Sequence, residues 1–359
     1  MKKIALFFLL SLSYILHGQA PEHYYDAAGN KSGYELKTAL SQIVTSGHVS
    51  CTYKDLWTHF KTTDKLPNGN VWDMYSNCTF TFGTNQCGNY SSVCDCYNRE
   101  HSFPASWFGG KESHPMYTDL FHLYPTDGMV NNYRSNYPFG ETNGTLYGGI
   151  SRLGSCTFPG YTGTVFEPAD QYKGDFARAY FYVATRYEKE ISGWSSNPNT
   201  DMLAGNKTSV FTTWSINLLL KWHRNDPVDE KETNRNNVVY DIQKNRNPFI
   251  DYPELVELIW GSKFGEPFVL PVSIDETTDD DDFVSIFPNP SEWNITVTFE
   301  KPFSGDIYLY NTIGNRLQQI PLQCVYTQDI DISNLPSGLY ILELAAENKL
   351  PIHRKIIKL

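Results

Sequence analysis

Two stretches decide how this chain is interpreted: NREHSFPASWF, residues 98–108, and DLFHLYPTDGMVNNYRSN, residues 119–136. In the first, Glu100 and His101 are adjacent, and Arg99 precedes them. A carboxylate can hold a hard divalent cation, a neutral imidazole can take a proton from water, and an arginine can hold a phosphate. The trio therefore suits hydrolysis of a phosphodiester. A Glu–His pair taken alone, however, is more often a solvated surface pair than a catalytic site.

The second stretch has the features of a short helix that carries a neutral metal ligand. Thr126 or Asp127 can cap this helix, and Asn131 and Arg134 then share one of its faces. An asparagine carbonyl oxygen suits Mg2+, which keeps several of its waters when a protein binds it. A cap-and-turn cluster solvated at the surface would have the same spacing, so spacing alone leaves both interpretations open.

The geometry of a β-strand constrains how Glu100 and His101 can act together. Neighbouring strand residues point to opposite faces, yet both side chains would have to serve one phosphate. We therefore expect the strand to end or to bulge at this pair, with Pro104 soon preventing regular pairing.

The two stretches together closely resemble the bacterial endonuclease I family, which belongs to the His-Me finger, or ββα-metal, nucleases. The resemblance extends over about residues 22–262, and it includes KGDFARAY at 173–180, WHRNDPV at 222–228 and QKNRNPFID at 243–251. It implies that Glu100 is the acidic metal ligand, Asn131 the amide metal ligand and His101 the general base.

The same resemblance implies a fold and a chemistry. The fold is α+β, with a helix-rich nuclease domain at residues 21–273 built around a ββα-metal motif. The chemistry is cleavage of DNA, and often RNA, with little sequence preference and 5′-phosphate ends. One divalent cation is implied; we expect Mg2+, with Mn2+ or Ca2+ as alternatives. The family also has an arginine for the product phosphate. Residues 109–118 contain none, so Arg99, Arg134 or Lys111 would have to replace it as substrate-binding residues.

The N terminus indicates export. Residues 1–20 join a positive start at Lys2 and Lys3 to an apolar run and a small-residue cleavage site, as a secretory signal does. No later apolar stretch approaches the roughly 18 residues that a membrane helix needs, so we expect no membrane span. We also expect a monomer.

Export permits disulfides, and six of the seven cysteines precede residue 157. The sequence does not choose among their pairings. A zinc site at Cys94 and Cys96 beside His101 is the weaker alternative, because zinc sites prefer wider cysteine spacings. We therefore expect structural disulfides.

The rest of the chain divides by composition. Helices are predicted within residues 35–64, 173–188, 209–223 and 227–244, the last with Pro227 in its first turn, and an irregular cysteine-rich loop at 78–97. Residues 274–282, IDETTDDDD, predict an extended acidic linker, because their carboxylates repel one another. Alternating segments such as 295–299 and 307–310 then predict a small β-sandwich at residues 283–359.

The tail also resembles the C-terminal sorting domain of type IX secretion substrates. FPNPS at 287–291, ISNLPSGLY at 332–340 and KIIK at 355–358 carry this resemblance. It implies a secreted protein of a Gram-negative, Bacteroidetes-type bacterium, exported by the type IX machinery with removal of the tail. A β-sandwich that binds a partner or a carbohydrate is the alternative.

The net charge bears on the partners of the chain. With 40 acidic and 29 basic residues the chain has a net charge of −11, which counts against nucleic acid, since phosphate binding depends on Lys and Arg. Residues 275–282 hold six acids, the tail seven acids and six bases, and the leader two bases, so the nuclease region keeps −6. DNA or RNA would therefore have to bind in a local groove with help from the cation. A catalytically silent, extracellular nucleic-acid-binding or surface-attached protein on the same scaffold is the alternative.

Overall fold

The computed structural model describes residues 20–270, 284–312, 314–346 and 351–359. Contacts divide the chain into two compact units that separate after Leu270. The predicted leader, apart from Ala20, and the predicted acidic linker lie outside the described residues. Within the described ranges, no helix is long and apolar enough to cross a membrane.

The first unit combines helices with two small antiparallel sheets, which confirms the α+β class. Its helices are α1 (Gly33–Thr45), α2 (Leu56–Thr63), α3 (Gly128–Arg134), α4 (Lys173–Arg186), α5 (Thr213–Asn225), α6 (Glu230–Gln243), α7 (Pro248–Asp251) and α8 (Leu255–Ile259). Its strands are β1 (Tyr97–His101), β2 (Leu123–Asp127), β3 (Thr145–Tyr147), β4 (Ser151–Ser155) and β5 (Thr164–Glu167). Strand β1 pairs with β2, and β4 lies between β3 and β5.

Each predicted helical segment contains helix, but the helices do not fill the segments. The segment 35–64 is interrupted between α1 and α2, where Gly47 has a φ of +70°, a value that glycine adopts readily. Pro227 precedes α6 instead of lying in its first turn. The helix begins after Asp229, whose side chain accepts a hydrogen bond from the backbone N–H of Glu232.

Helix α4 is the centre of the first unit. Every residue from Lys173 to Thr185 is buried, so this helix is covered on all sides rather than on one stripe. Buried charges on it are paired: Arg178 donates to Glu232, and Lys231 donates to Asp175. These contacts hold α6 against α4.

Disulfides fix the cysteine-rich loop, as predicted. Cys78 is bonded to Cys94, and Cys87 to Cys96. The zinc alternative is wrong, because both of its cysteines are in disulfides. Cys51, Cys156 and Cys324 are free thiols, so four of the six early cysteines form bridges rather than all six.

The second unit is one curled antiparallel sheet rather than two stacked sheets. Its strands are β6 (Val284–Phe287), β7 (Asn294–Asn311), β8 (Arg316–Asp331), β9 (Gly338–Ala345) and β10 (Ile352–Lys358). The order is β10-β9-β7-β6, with β8 also paired to β7. The segments predicted as separate strands at 295–299 and 307–310 are two parts of β7, which changes register between Thr298 and Gly305. Ser291 pairs with Lys358, so the first and last sorting-domain motifs lie side by side.

Candidate active site

Strands β1 and β2 and helix α3 form a ββα unit. Glu100 lies opposite Tyr124, and His101 lies opposite Leu123, in a regular antiparallel ladder. Strand β1 ends at His101 without a bulge, which is the first of the two arrangements expected for this pair. Helix α3 follows β2 directly, so both strands and the helix lie within residues 97–134.

Asp127 connects these elements. Its Oδ1 accepts a hydrogen bond from the Val130 N–H at 2.8 Å and so caps α3. Its Oδ2 accepts one from the Cys94 N–H at 2.6 Å. The side chain is fully buried, and it therefore ties the disulfide-bonded loop to the start of the helix that carries Asn131.

Glu100 is held from two sides on the inner face of β1. Its Oε1 accepts hydrogen bonds from the Tyr75 hydroxyl at 2.8 Å and from Arg134 Nη1 at 2.9 Å, and Oε2 takes part in neither contact. Burial raises the pKa of Glu100 to about 7, while Arg134 and Tyr75 act to lower it. One carboxylate oxygen is thus fixed by two side chains, and neither of them contacts the other oxygen.

Arg134 is buried, with 1% of its surface exposed. Beyond Glu100, its guanidinium donates to the carbonyl of His101 at 2.9 Å and to that of Ser102 at 2.5 Å. The sequence led us to expect a substrate-binding residue here. In the structure its donors bind the end of β1 and Glu100, and such burial leaves little access for a phosphate.

His101 lies on the opposite face of β1 from Glu100, as strand geometry requires. Its Nε2 lies 2.9 Å from the carbonyl oxygen of Tyr117. A carbonyl only accepts, so Nε2 carries the proton, and Nδ1 presents its lone pair. Burial, and then the nearby His122, lower the pKa of His101 to about 3. The ring is therefore a neutral base with a defined tautomer.

Aromatic rings surround His101. Tyr53 stacks on it at 6.0 Å between ring centroids, Tyr117 is at 4.7 Å, and His122 is at 5.8 Å. His122 is fully buried, and its Nε2 lies 2.7 Å from the Met116 carbonyl oxygen. His122 is thus a buried packing partner of His101.

Arg99 shares the His101 face of β1, because the two are separated by one residue. Its guanidinium lies 3.6 Å from the centroid of the Tyr53 ring and 4.5 Å from that of Trp57, and Nη1 donates to the Tyr53 carbonyl at 2.8 Å. Nη2 has no hydrogen bond in the part of the chain that the structure describes. Arg99 is therefore held rigidly beside the base with a donor available.

Asn131 lies on α3 one turn before Arg134 and is half-buried. Its side chain makes no hydrogen bond to any other described residue. Lys111, the third candidate for phosphate binding, is exposed.

The Endonuclease I family model matches residues 32–254, which include the whole ββα unit. The chain belongs to the Endonuclease I family. A second model, the secretion system C-terminal sorting domain, matches residues 285–359, so the protein is exported.

Several named proteins are similar to this Endonuclease I chain. The extracellular ribonuclease of Bacillus amyloliquefaciens is 38% identical over 246 residues, which are 67% of this chain and 78% of that protein. The extracellular ribonuclease of Bacillus subtilis is 37% identical over 242 residues, 66% of this chain and 78% of that protein. An extracellular deoxyribonuclease of Aeromonas hydrophila is 30% identical over 142 residues, 39% of this chain and 52% of that protein.

The donors at the Endonuclease I site fit a hard divalent cation. A carboxylate oxygen of Glu100 and the amide oxygen of Asn131 are ligands that Mg2+ accepts together with water. Among the described residues, only one group of three acidic, histidine or cysteine side chains brings its ligand atoms together: Cys78, Cys94 and Asp127. Its two sulfurs form a disulfide and so are not metal ligands. A cation at this site would therefore have to rely on an amide ligand beside a single carboxylate.

Sequence reasoning missed Tyr75, Tyr117 and Tyr53, which orient Glu100, His101 and Arg99. Tyr75 is 25 residues from the carboxylate that it contacts, and Tyr117 supplies a backbone carbonyl rather than a side-chain group. Neither contact has a spacing pattern that could reveal it.

Proposed function

We propose that the chain is a secreted endonuclease that hydrolyses phosphodiester bonds of both DNA and RNA with a divalent cation. Support comes from family membership and from relatives that are named as extracellular ribonucleases and deoxyribonucleases. The observation that carries the proposal is the fixed tautomer of His101, which leaves the Nδ1 lone pair free to accept a proton.

His101 is the general base. The backbone carbonyl of Tyr117 accepts a hydrogen bond from the Nε2–H of His101. Nδ1 takes a proton from water as the water oxygen attacks phosphorus. The bond between phosphorus and the 3′-oxygen breaks, and that oxygen takes a proton from solvent. The products are a 3′-hydroxyl and a 5′-phosphate.

Glu100 and Asn131 would hold the cation, with Mg2+ as the first choice and Mn2+ or Ca2+ as alternatives. When bound, the cation would supply positive charge where negative charge builds up on the phosphoryl and leaving oxygens. Arg99 would bind a substrate phosphate through Nη2, because the stack on Tyr53 and Trp57 keeps its guanidinium in place.

Cleavage of plasmid DNA and of a structured RNA, in Mg2+ with and without EDTA, tests this function. We expect the wild type to nick both substrates and EDTA to stop it. His101→Ala should lower the rate by about 10²–10⁴-fold. His59→Ala, on the half-buried face of α2, is the matched control and should leave the rate unchanged.

Two outcomes would overturn the proposal. Near-full activity of His101→Ala would show that His101 is not the general base. Tight oligonucleotide binding without EDTA-sensitive cleavage would support the alternative, a silent nucleic-acid-binding protein on the same scaffold.

A further inference from the structure

Glu100 receives hydrogen bonds from two side chains that reach it from different parts of the first unit. Tyr75 reaches it from the segment before the disulfide-bonded loop, and Arg134 reaches it from the end of α3. Both donors meet at Oε1. A carboxylate with one oxygen engaged twice cannot rotate freely, so its second oxygen has a fixed direction.

Tyr75 is itself fixed. It is fully buried, and its ring packs at 4.7 Å from Phe166 and 5.7 Å from Phe176. Its carbonyl accepts a hydrogen bond from the Ser151 hydroxyl at 2.8 Å. The hydroxyl that contacts Glu100 is thus anchored through both its ring and its backbone.

Arg134 adds a connection between the metal-site residues. It lies one turn after Asn131 on α3, and its guanidinium binds Glu100 and the carbonyls of His101 and Ser102. Arg134 therefore fixes three parts of the site relative to one another. These parts are helix α3 with Asn131, the Glu100 carboxylate and the backbone at His101.

We propose that Tyr75 and Arg134 are positioning residues of the nuclease site, which occupy Oε1 of Glu100 so that Oε2 is the oxygen presented to the cation. This inference rests on the proposed function, since it takes Glu100 to be a metal ligand. Neither residue touches the substrate. Partners that orient a ligand commonly change metal affinity by about 10–100-fold when they are replaced.

Titration of the purified protein with Mn2+, followed by the paramagnetic resonance signal of free Mn2+, tests the inference without cleavage. Tyr75→Phe removes one hydroxyl and should raise the Kd for Mn2+ about tenfold. Arg134→Lys keeps the charge but loses the planar fork, and it should raise the Kd by about 10–100-fold.

Tyr25→Phe is the matched control, because Tyr25 is also buried and also donates to a carboxylate, that of Asp251 at 2.6 Å. It should leave the Kd for Mn2+ unchanged. Thermal unfolding without Mn2+ should show similar losses of stability for Tyr75→Phe and Tyr25→Phe. Such a result would separate positioning of the ligand from a general role in packing.

The outcomes distinguish this inference from the proposed function. If Glu100→Gln loses Mn2+ binding while Tyr75→Phe and Arg134→Lys bind as the wild type does, positioning is refuted and the metal ligand stands. If the wild type binds no Mn2+, or Glu100→Gln binds it equally well, the metal assignment falls, and the positioning inference falls with it.

Discussion

Replacing Asp127 by alanine should destabilise the nuclease unit far more than the loss of an ordinary helix cap. Asp127 is fully buried and accepts two backbone hydrogen bonds, one from Val130 at the start of α3 and one from Cys94 in the disulfide-bonded loop. The substitution removes both acceptors at once, so the effect reaches the helix and the loop together.

The size of the effect follows from these two contacts. Val130 is fully buried, and leaving its N–H without a partner costs about 1–3 kcal/mol. Loss of the hydrogen bond from Cys94 adds about 0.5–1.5 kcal/mol. We therefore expect Asp127→Ala to lower the free energy of unfolding by about 1.5–4.5 kcal/mol.

Asp229 is the matched control, since it caps α6 in the same way by accepting from the Glu232 N–H at 2.9 Å, but it is exposed. Asp229→Ala should cost about 1 kcal/mol. Urea unfolding followed by tryptophan fluorescence reports mainly on the first unit, because seven of the eight tryptophans precede residue 271. A loss for Asp127→Ala no larger than that for Asp229→Ala would refute the reasoning.

Further substitutions test buried charge, pH response and substrate contact. Glu232→Gln removes the nearest anion of the buried Arg178, whose remaining buried partner Asp175 is 3.9 Å away, and should cost about 3–5 kcal/mol in urea unfolding. Glu257→Gln, which breaks a surface pair, should cost about 1 kcal/mol or less. Burial and then Arg178 lower the pKa of His223 to about 4, so from pH 6.5 to 4 the unfolded chain binds a proton that the folded chain does not. Stability should fall as pH falls through that window, and His223→Gln should reduce the slope by up to about 1.4 kcal/mol per pH unit; an unchanged slope would contradict this. Arg99→Gln should weaken oligonucleotide binding and lower the slope of log K against log salt by about 1, and an unchanged slope would rule out a phosphate contact.

Local features of the first unit were predictable from the sequence. The cap at Asp127 depends on its own helix, and the end of β1 at His101 follows from the short distance to Pro104. Helix α4 was recognisable because its run of aromatic and small residues is typical of a buried helix. In each case the determining contacts lie within a few residues of one another.

Features that depend on distant residues were not predictable. The role of Arg134 was misjudged because an arginine beside a candidate metal ligand suggests phosphate binding. Its burial depends on Glu100 and Tyr180, which are 34 and 46 residues away in the sequence. Strands β3 to β5 are short and mostly polar, so they lack the alternation that reveals a strand. The curl of β7 depends on pairing with three other strands and not on its own sequence.

Buried ion pairs reduce the number of cationic side chains that could bind a phosphate. In the described part of the nuclease unit, many cationic side chains are already neutralised by carboxylates in the interior: Arg134 by Glu100, Arg178 by Glu232, Lys231 by Asp175, Arg235 by Asp64 and Lys37 by Glu188. These residues add to the basic total but offer nothing to a phosphate, because their donors are occupied away from solvent. Arg99 differs, since its guanidinium is stacked on rings and keeps a donor available. Under the proposed function, binding through so few phosphate contacts would be weak and would not read bases. The net acidity of the chain would then limit how tightly it holds nucleic acid, while Arg99 and the ββα unit would place the phosphate.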